Sequence, residues 1–425
     1  MTTIPEFFRI ISHCDCPSVT PSRALVRARL EELAAFKPLT QGKTVAITVG
    51  SRGIADLPTI LRHVVAELKD RGAEPLVVPA MGSHGGATAE GQREVLAGYG
   101  ITPETIGCPI RSSMEVVELG TSPLGFPVFF DRAAFEADRV LVLNRVKPHT
   151  RFDGPIQSGL LKMLMIGLGN HRGAETCHRA IEEHGFPAVL RSACEIILAK
   201  APIWGGLAIV ENAREQTALL EAVSADAFFT REPALLEQAR RLMPKLPFDR
   251  ADVLIIDRIG KDISGTGLDT NVVGRKRDDH KAVGDERPRI RAICIRGLSP
   301  GSHGNAIGIG MAEFCRREAI EAMDREATVV NAMTSNHISA AMLPPDFATD
   351  REMLDAALAY TRSNSEPRVL WIRDTLHLEQ IECSAAYLSE AMQRDELEIV
   401  VPPRSLPFDA AGNLPAHESL APEGE

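Results

Sequence analysis

Short apolar runs rich in β-branched residues alternate along the chain with segments of helical periodicity. The helical pattern from Leu57 to Arg71 ends before Gly72, and Thr88 stands where it would cap a helix over 89–97. Strands are predicted over 43–49, 74–79, 115–119, 138–143 and 205–210. Alternation of this kind predicts βαβ units and a mostly parallel sheet that is covered on both faces.

A second series of apolar segments follows a pair of prolines, Pro244 and Pro247, and its first strand is predicted over 251–256. The chain has 425 residues, whereas single hydrophobic cores stop growing at about 250–300 residues. We therefore predict two α/β domains with mostly parallel sheets and a ligand site in the interdomain cleft. The predicted ranges are 1–245 for the N-terminal domain, 250–402 for the C-terminal α/β domain and 403–425 for a loosely ordered acidic tail.

Composition narrows the class of protein. The net charge of −10 and an aromatic content of 5% argue against nucleic-acid binding. We find neither a secretory signal nor an apolar run of the roughly 18–20 residues that a membrane span needs, so no membrane association is predicted. Eight scattered cysteines, with Cys14 and Cys16 interpreted as structural, favour reduced thiols and a cytoplasmic location.

Cationic and imidazole side chains follow the predicted strands. The first loop carries Arg52, the second His84, the third Lys147 and His149, and a loop of the second domain carries Lys261. Ligands of parallel sheets bind beyond the carboxyl ends of the strands. These residues therefore predict an anionic ligand that meets a proton-transfer pair, although each of them is also compatible with an ordinary solvated loop.

Lys162 lies in an unusually apolar stretch, Leu160-Leu-Lys-Met-Leu-Met-Ile166. Loss of hydration would lower its pKa and make the neutral, nucleophilic amine accessible. The alternative is a lysine whose stem packs while its ammonium group reaches water. His171 and His178 follow at a spacing that places both on one helix face, and Glu175 is three residues before His178, where it could orient the imidazole. The alternative for this segment is an amphipathic helix with surface histidines.

These segments together resemble the nickel-dependent lactate racemase family, whose members use a nickel-pincer nucleotide. The likeness covers most of the chain and is strongest from Thr48 to His178. In chain order the matching elements are Gly50-Ser51-Arg52, Met81-Gly82-Ser83-His84 with Thr88, Pro148-His149, Ser158-Gly159 with Lys162, and His178.

The resemblance implies a racemase or epimerase of a 2-hydroxy acid that works by proton-coupled hydride transfer through a 2-keto acid. It implies His84 and His149 as the acid/base pair, His178 as the nickel ligand and Lys162 as the covalent attachment point of the cofactor. The cofactor would be Ni(II) pyridinium-3,5-bisthiocarboxylic acid mononucleotide, so enzymes of cofactor biosynthesis are expected partners. By the same resemblance Ser51, Arg52 and Lys261 would contact the cofactor, and Arg52 and Lys147 the substrate.

The chain departs from the family pattern at several positions. Lys147 replaces a glutamate, Leu161 replaces an arginine, and Thr266-Gly267 replace a Tyr-Gln pair. The small residues at 266–267 predict a roomier pocket and a hydroxy acid different from or larger than lactate. Two other functions stay open: a metal-dependent hydrolase that uses His171, Glu175 and His178, and a non-catalytic protein that binds small anions.

Overall fold

The computed structural model describes residues 4–33, 42–362 and 365–420. Contacts divide the chain into two compact units, Cys16–Met243 and a second unit made of Met1–Asp15 with Pro244–Glu425. We call them the 16–243 unit and the C-terminal unit. The boundary falls at Pro244, the first of the proline pair, and the first fifteen residues group with the C-terminal unit, whereas the sequence predicted an N-terminal domain over 1–245.

The structure is a mixture of helices and strands. The strands are β1 (Phe7–Ser12), β2 (Thr44–Val49), β3 (Glu74–Pro79), β4 (Val116–Thr121), β5 (Pro127–Asp131), β6 (Arg139–Arg145), β7 (Ile203–Glu211), β8 (Thr217–Ser224), β9 (Arg250–Ile259), β10 (Arg289–Leu298), β11 (Phe314–Arg316), β12 (Asp346–Phe347), β13 (Val369–Ile372), β14 (Gln380–Ser384) and β15 (Leu397–Arg404). The helices are α1 (Arg23–Glu32), α2 (Leu57–Asp70), α3 (Ala89–Gly98), α4 (Pro103–Ile106), α5 (Arg132–Glu136), α6 (Leu160–Lys162), α7 (Asn170–His184), α8 (Phe186–Lys200), α9 (Phe228–Leu242), α10 (Thr270–Val273), α11 (Arg317–Glu321), α12 (Arg325–Thr334), α13 (Asp350–Thr361) and α14 (Leu388–Ala391).

The 16–243 unit is built on a five-stranded sheet in the order β3-β2-β6-β7-β8. The first four strands are parallel and β8 is antiparallel to β7. Strands β4 and β5 form a separate antiparallel ribbon. Successive side chains of a strand point to opposite faces, and both faces of β2 are buried: Val45 and Ile47 pack in one apolar cluster and Ala46 in another. This is the covered parallel sheet that the sequence predicts.

The C-terminal unit contains an eight-stranded sheet in the order β12-β11-β10-β9-β13-β14-β1-β15. The five strands from β12 to β13 are parallel, and β14, β1 and β15 continue the sheet with antiparallel pairing. The N-terminal strand β1 thus lies between two strands from the end of the chain. Local sequence does not encode such a pairing between the two ends of the chain, so the place of β1 was not predictable from it. The prediction of an α/β fold with mostly parallel sheets is confirmed.

A loosely ordered tail was predicted over 403–425. As far as residue 420, this segment is instead packed against the rest of the C-terminal unit. Leu406, Leu414 and His417 are buried. The His417 amide donates to Asp257 Oδ2 at 2.6 Å, and Arg296 donates to the carbonyl of Leu414 at 2.6 Å. The apolar residues among the Pro and Gly of this segment provide the packing. Residues 421–425 lie outside the described part of the chain.

Two other expectations concern cysteines and membranes. Cys14 and Cys16 are disulfide-bonded, which corrects the expectation of reduced thiols at these two positions. Cys108, Cys177 and Cys194 are examples of the free, buried cysteines. Within 4–33, 42–362 and 365–420, no helix is both long and apolar enough to cross a bilayer.

A buried ion pair fixes the N-terminal strand in the C-terminal unit. Arg9 and Glu382 are both fully buried, and Arg9 Nε donates to Glu382 Oε1 at 2.7 Å. Arg404 contacts the same carboxylate oxygen at 2.8 Å. Removal of one partner of a buried pair leaves an uncompensated charge in a medium of low dielectric constant.

We expect Arg9→Leu to lower the free energy of unfolding by about 3 kcal/mol, because Glu382 then keeps Arg404 alone as its partner. The measurement is urea unfolding followed by circular dichroism. His13→Ala is the matched control, since His13 pairs with Glu398 where both side chains are more than half exposed (53% and 57%), and its change should stay below about 1 kcal/mol. Equal losses in the two variants would contradict the argument.

Candidate functional site

Three parallel strands of the 16–243 unit deliver the predicted site residues to one edge of the sheet. Strands β2, β3 and β6 end at Val49, Pro79 and Arg145. Because they are parallel, their carboxyl ends lie at the same edge. The loops that follow them carry Arg52, His84, and Lys147 with His149, as predicted from the sequence.

The first two loops are joined through Ser51. The hydroxyl of Tyr99 donates to the Ser51 carbonyl at 2.8 Å, and the Ser51 hydroxyl is hydrogen-bonded to Nδ1 of His84. The second loop is also tied to the segment after Lys162, because the Gly82 amide donates to the carbonyl of Gly167 at 3.2 Å. His84 is therefore held beside Arg52 and close to the start of α7.

His149 is held by its own turn. Its backbone amide donates to Gln157 Oε1 at 3.0 Å. Nδ1 of its ring accepts from the amides of Arg151 and Phe152 at 3.0 and 3.1 Å. The ring stacks on Phe152 with a centroid separation of 4.2 Å and an interplanar angle of 14°. These contacts fix both the position and the orientation of the imidazole.

The two imidazoles differ in the partner of Nδ1. An imidazole nitrogen that accepts a hydrogen bond carries no proton, so the contacts of His149 assign the proton of the neutral ring to Nε2. A serine hydroxyl can donate or accept, so the Ser51 contact permits either tautomer of His84. His84 can thus present a lone pair at Nε2, whereas His149 presents an N–H there.

Lys162 ends the short helix α6, which continues as a π-helical turn over Met163–Gly167. Its Nζ lies 4.9 Å from the centroid of the Phe152 ring, the ring on which His149 stacks. The side chain is half-buried, yet the amine is so enclosed by protein that burial lowers its pKa to about 7, with the charge of Arg52 as the second cause. The expected apolar setting of Lys162 is present.

His178 lies on α7 and interacts electrostatically with Lys162. Burial of the ring, and next the Lys162 charge, lower the pKa of His178, although part of the residue is exposed. Glu175 does not orient His178 as predicted, because it pairs with Arg179 at 3.0 Å. The carboxylate that acts electrostatically on His178 is Glu182, one helical turn further on. An imidazole that is neutral at pH 7 can ligate a metal ion.

Arg52 is an exposed residue. The protein that surrounds its guanidinium group nevertheless removes part of the hydration of the charge, which lowers the pKa of Arg52. The nearby charge of Arg145 lowers it further. Two cationic groups, Arg52 and Lys162, therefore stand close together, and no carboxylate in the described chain is hydrogen-bonded to either of them. Such a pair, beside the His178 imidazole, suits an anionic ligand.

The other predicted residues have different surroundings. Lys147 is anchored through its backbone, because its amide donates to Ser158 Oγ at 3.1 Å and its carbonyl accepts from the same hydroxyl. Lys261 belongs to the C-terminal unit, where Nζ donates to the carbonyl of Gly265 at 2.8 Å and contacts Asn331 at 3.3 Å. Their predicted roles toward substrate and cofactor stay predictions.

A hydrolytic metal site is not supported by the side chains. Hydrolases hold catalytic zinc with three protein ligands. No group of three or more His, Cys, Asp or Glu side chains is placed to hold a metal in 4–33, 42–362 and 365–420. His171 is exposed and Glu175 is engaged by Arg179, so the set His171, Glu175 and His178 does not form a ligand cluster.

The small residues at 266–267 have a structural explanation. A Cβ on Gly267 would lie 1.8 Å from the carbonyl oxygen of Ile307, so no side chain fits there. Thr266 is buried, and its hydroxyl donates to the carbonyl of Leu268 at 2.7 Å. The absence of a side chain at 267 follows from close backbone packing and is not evidence of a larger pocket.

Three residues that hold the site residues in place were not predicted from the sequence. Phe152 links His149 to Lys162, Tyr99 holds the Ser51 carbonyl, and Glu232 accepts a hydrogen bond from the Leu161 amide at 3.0 Å. Phe152 is the only one with a sequence signal, since it is an aromatic residue three positions after a candidate catalytic histidine. Tyr99 directly follows α3 and Glu232 lies on α9, and the approach of these helices to the site depends on tertiary packing.

The fold and site define a two-unit α/β protein with an enclosed lysine and three imidazoles beyond the strand ends of its 16–243 unit. Residues 9–186 match the family model of the lactate racemase N-terminal domain. This match confirms, over residues 9–186, the resemblance to the lactate racemase family seen in the sequence. Arg52, His84, His149, Lys162 and His178 all lie within the matched residues.

One solved structure similar to this chain is the lactate racemase apoprotein from Thermoanaerobacterium thermosaccharolyticum. The two share 15% sequence identity with a TM-score of 0.49, and the match covers 87% of this chain and 98% of that chain. No curated protein matches the chain.

We expect the Lys162 amine to react with an amine-specific reagent with a midpoint near pH 7, because burial lowers its pKa to about 7. Unperturbed lysines require a pH near 10.4. The measurement is isotope labelling across pH with peptide mass spectrometry, and the other lysines of the chain are the internal comparison.

Arg52→Gln should raise this midpoint, by less than about one pH unit, because Arg52 is the smaller of the two causes. A wild-type midpoint above pH 9 would contradict the proposed surroundings of the amine.

Proposed function

We propose that the protein is a nickel-pincer nucleotide-dependent racemase or epimerase of a 2-hydroxy acid. The observation that carries the proposal is the Lys162 amine, whose pKa is lowered to about 7 beside Arg52 and the His178 imidazole. These groups lie in a segment that matches the lactate racemase N-terminal domain. The reaction would be proton-coupled hydride transfer through a 2-keto acid.

The residues that would hold the cofactor are Lys162, through its amine, and His178, through its imidazole. Ser51 and Arg52 would contact the same group. When bound, this cofactor supplies a nickel-bearing pyridinium ring that accepts and returns a hydride. A neutral amine at pH 7 is nucleophilic enough to form the covalent attachment at Lys162, and a fully charged lysine is not.

The substrate carboxylate would be bound by Arg52. A guanidinium group can form two parallel hydrogen bonds with a carboxylate, which fixes the orientation of the α-carbon. Arg52 has no carboxylate partner among the described side chains that would compete for it. Lys147, in the third loop, would add a second positive charge toward the substrate.

The two imidazoles would handle the hydroxyl proton from opposite sides of the carbon. His84 is ready to accept it at Nε2, because its Nδ1 is bonded to a hydroxyl that can act as donor or acceptor. His149 presents Nε2–H in this structure and would hydrogen-bond the substrate oxygen as a donor. To act as the base for the other stereoisomer, His149 must place its proton on Nδ1 and release the amides of Arg151 and Phe152.

The substrate is proposed to be a 2-hydroxy acid different from or larger than lactate. This part rests on the departure from the family pattern at Lys147, which replaces a glutamate in the third loop, since Gly267 is explained by packing against Ile307. A panel of chiral hydroxy acids, including lactate, sugar acids and dicarboxylic acids, tests it with the cofactor-loaded protein. Highest activity with lactate would make this part wrong while leaving the class of reaction intact.

We expect His84→Asn and His149→Asn each to lower the rate of racemisation by about 10²–10⁴-fold, the usual contribution of general acid–base catalysis. The covalent adduct on Lys162, measured by intact mass, should form in both variants. The assay is polarimetry or chiral chromatography with the preferred acid.

His171→Asn is the matched control, because His171 is an exposed histidine on the helix that carries His178. Its rate should stay within about twofold of wild type. Wild-type protein that carries neither nickel nor an adduct on Lys162, after expression with the cofactor-making enzymes, would overturn the proposed function.

A further inference from the structure

A fully buried carboxyl group lies at the beginning of the turn that carries Lys162. Glu232, on α9, is 0% exposed, and its Oε2 accepts from the amide of Leu161 at 3.0 Å. The amides of Leu161 and Leu160 both act to lower the pKa of this carboxyl group, against the larger effect of burial. Its other oxygen, Oε1, is buried without a hydrogen-bond partner among the described residues.

This contact meets a structural requirement of the turn. The first amides of a helix have no partner within the helix, and a side-chain oxygen that accepts from them stabilises the helix start. Glu232 supplies that oxygen from 71 positions away in sequence. Because α6 ends at Lys162, the anchored amide at Leu161 is directly adjacent to the residue whose amine faces Arg52 and Phe152.

The surroundings are built around the carboxyl group. Gly159 precedes α6 with φ 130°, and a Cβ at this position would lie 2.4 Å from Glu232 Oε1. The Gly159 carbonyl accepts from Asn144 Nδ2 at 2.8 Å, and the Leu161 carbonyl accepts from Cys194 Sγ at 3.3 Å. The turn is thus held by β6, α8 and α9 together, and Glu232 is its anchor on the α9 side.

The charge state of Glu232 suits this place. Burial raises its pKa to about 8, so the group is largely protonated at pH 7 and places little charge in the apolar core. The other titratable side chain that faces it is Cys194, whose thiol pKa is raised well above its usual range by burial and then by Glu232. Neither group takes part in the chemistry proposed above.

We propose that Glu232 is a positioning residue, which holds the Leu160–Lys162 turn so that the Lys162 amine stays enclosed beside Arg52. The importance of this for catalysis rests on the proposed function, in which Lys162 is the attachment point. The anchoring itself is a property of the protein without cofactor.

The test compares four variants of the full-length protein without cofactor. Glu232→Ala removes the acceptor, Glu232→Asp withdraws it by one methylene, and Glu232→Gln keeps an oxygen in place as an isostere of the protonated acid. Glu237→Ala is the control, because Glu237 lies on the same helix but is exposed and pairs with Arg240. The readouts are amide hydrogen exchange over 160–167 and the rate of Lys162 amine labelling at one fixed pH.

We expect Glu232→Ala to raise exchange over 160–167 at least tenfold and to change the labelling rate at Lys162 at least threefold. Glu232→Gln and Glu237→Ala should stay within twofold of wild type in both readouts. If Glu232→Ala does not fold, Glu232→Asp should show the same local increase in smaller measure. Faster exchange spread evenly over the 16–243 unit would mean a general structural role and would overturn the proposal, as would unchanged exchange at 160–167.

A second measurement separates this proposal from the proposed function. Intact mass after incubation with cofactor gives the rate of adduct formation on Lys162, which should fall at least tenfold in Glu232→Ala and recover in Glu232→Gln. Wild-type protein that forms no adduct would count against the proposed function, and the exchange data would still decide whether Glu232 anchors the turn. Normal adduct formation in Glu232→Ala would contradict the positioning role.

Discussion

The enclosure of the Lys162 amine by surrounding protein is the constraint on which the site depends. An ammonium ion loses strong hydration on burial, and the charge of Arg52 nearby adds to the penalty, so the neutral form is favoured. The protein can hold this state only if the surrounding segment is closely packed. Leu160, Leu161 and Met163 are all buried, and the buried carboxyl group of Glu232 fixes the start of the same turn.

The architecture determines where such an amine can meet other polar groups. A parallel sheet with helices on both faces leaves the ends of its strands as the places where functional side chains can converge. In the 16–243 unit, β2, β3 and β6 end at one edge, and their loops supply a guanidinium and two imidazoles. Lys162 and His178 reach this edge from the segment that follows β6, which passes through a π-helical turn before α7 begins.

The parts of this arrangement that depend on local pattern were predictable. The strand ends, the Thr88 helix cap and the apolar setting of Lys162 all follow from residues that are close together in sequence. Long-range pairing was not predictable in this way: β1 inserts between β14 and β15, and Glu232 contacts a turn that is 71 positions earlier. No periodicity encodes such contacts, because they are selected by the packing of complete elements. The pairing of Glu175 with Arg179 was available as an i, i+4 spacing but was overlooked.

The two imidazoles have different hydrogen-bond partners at Nδ1, and this difference affects how the two stereoisomers of the proposed substrate would react. Symmetric chemistry requires each ring to accept a proton at the nitrogen that faces the carbon. Only His84 has an Nδ1 partner, the Ser51 hydroxyl, that adapts to either tautomer. Nδ1 of His149 accepts from two amide donors. A proton on Nδ1 would lie close to the two amide hydrogens and would be repelled by them. In the proposed reaction, turnover in both directions would therefore require the 149–152 turn to release Nδ1 of His149, whose ring stacks on Phe152, the ring over which Lys162 lies. The anchoring of the Lys162 turn and the release of the His149 turn would be opposite requirements on neighbouring segments, and different hydrogen bonds hold the two turns.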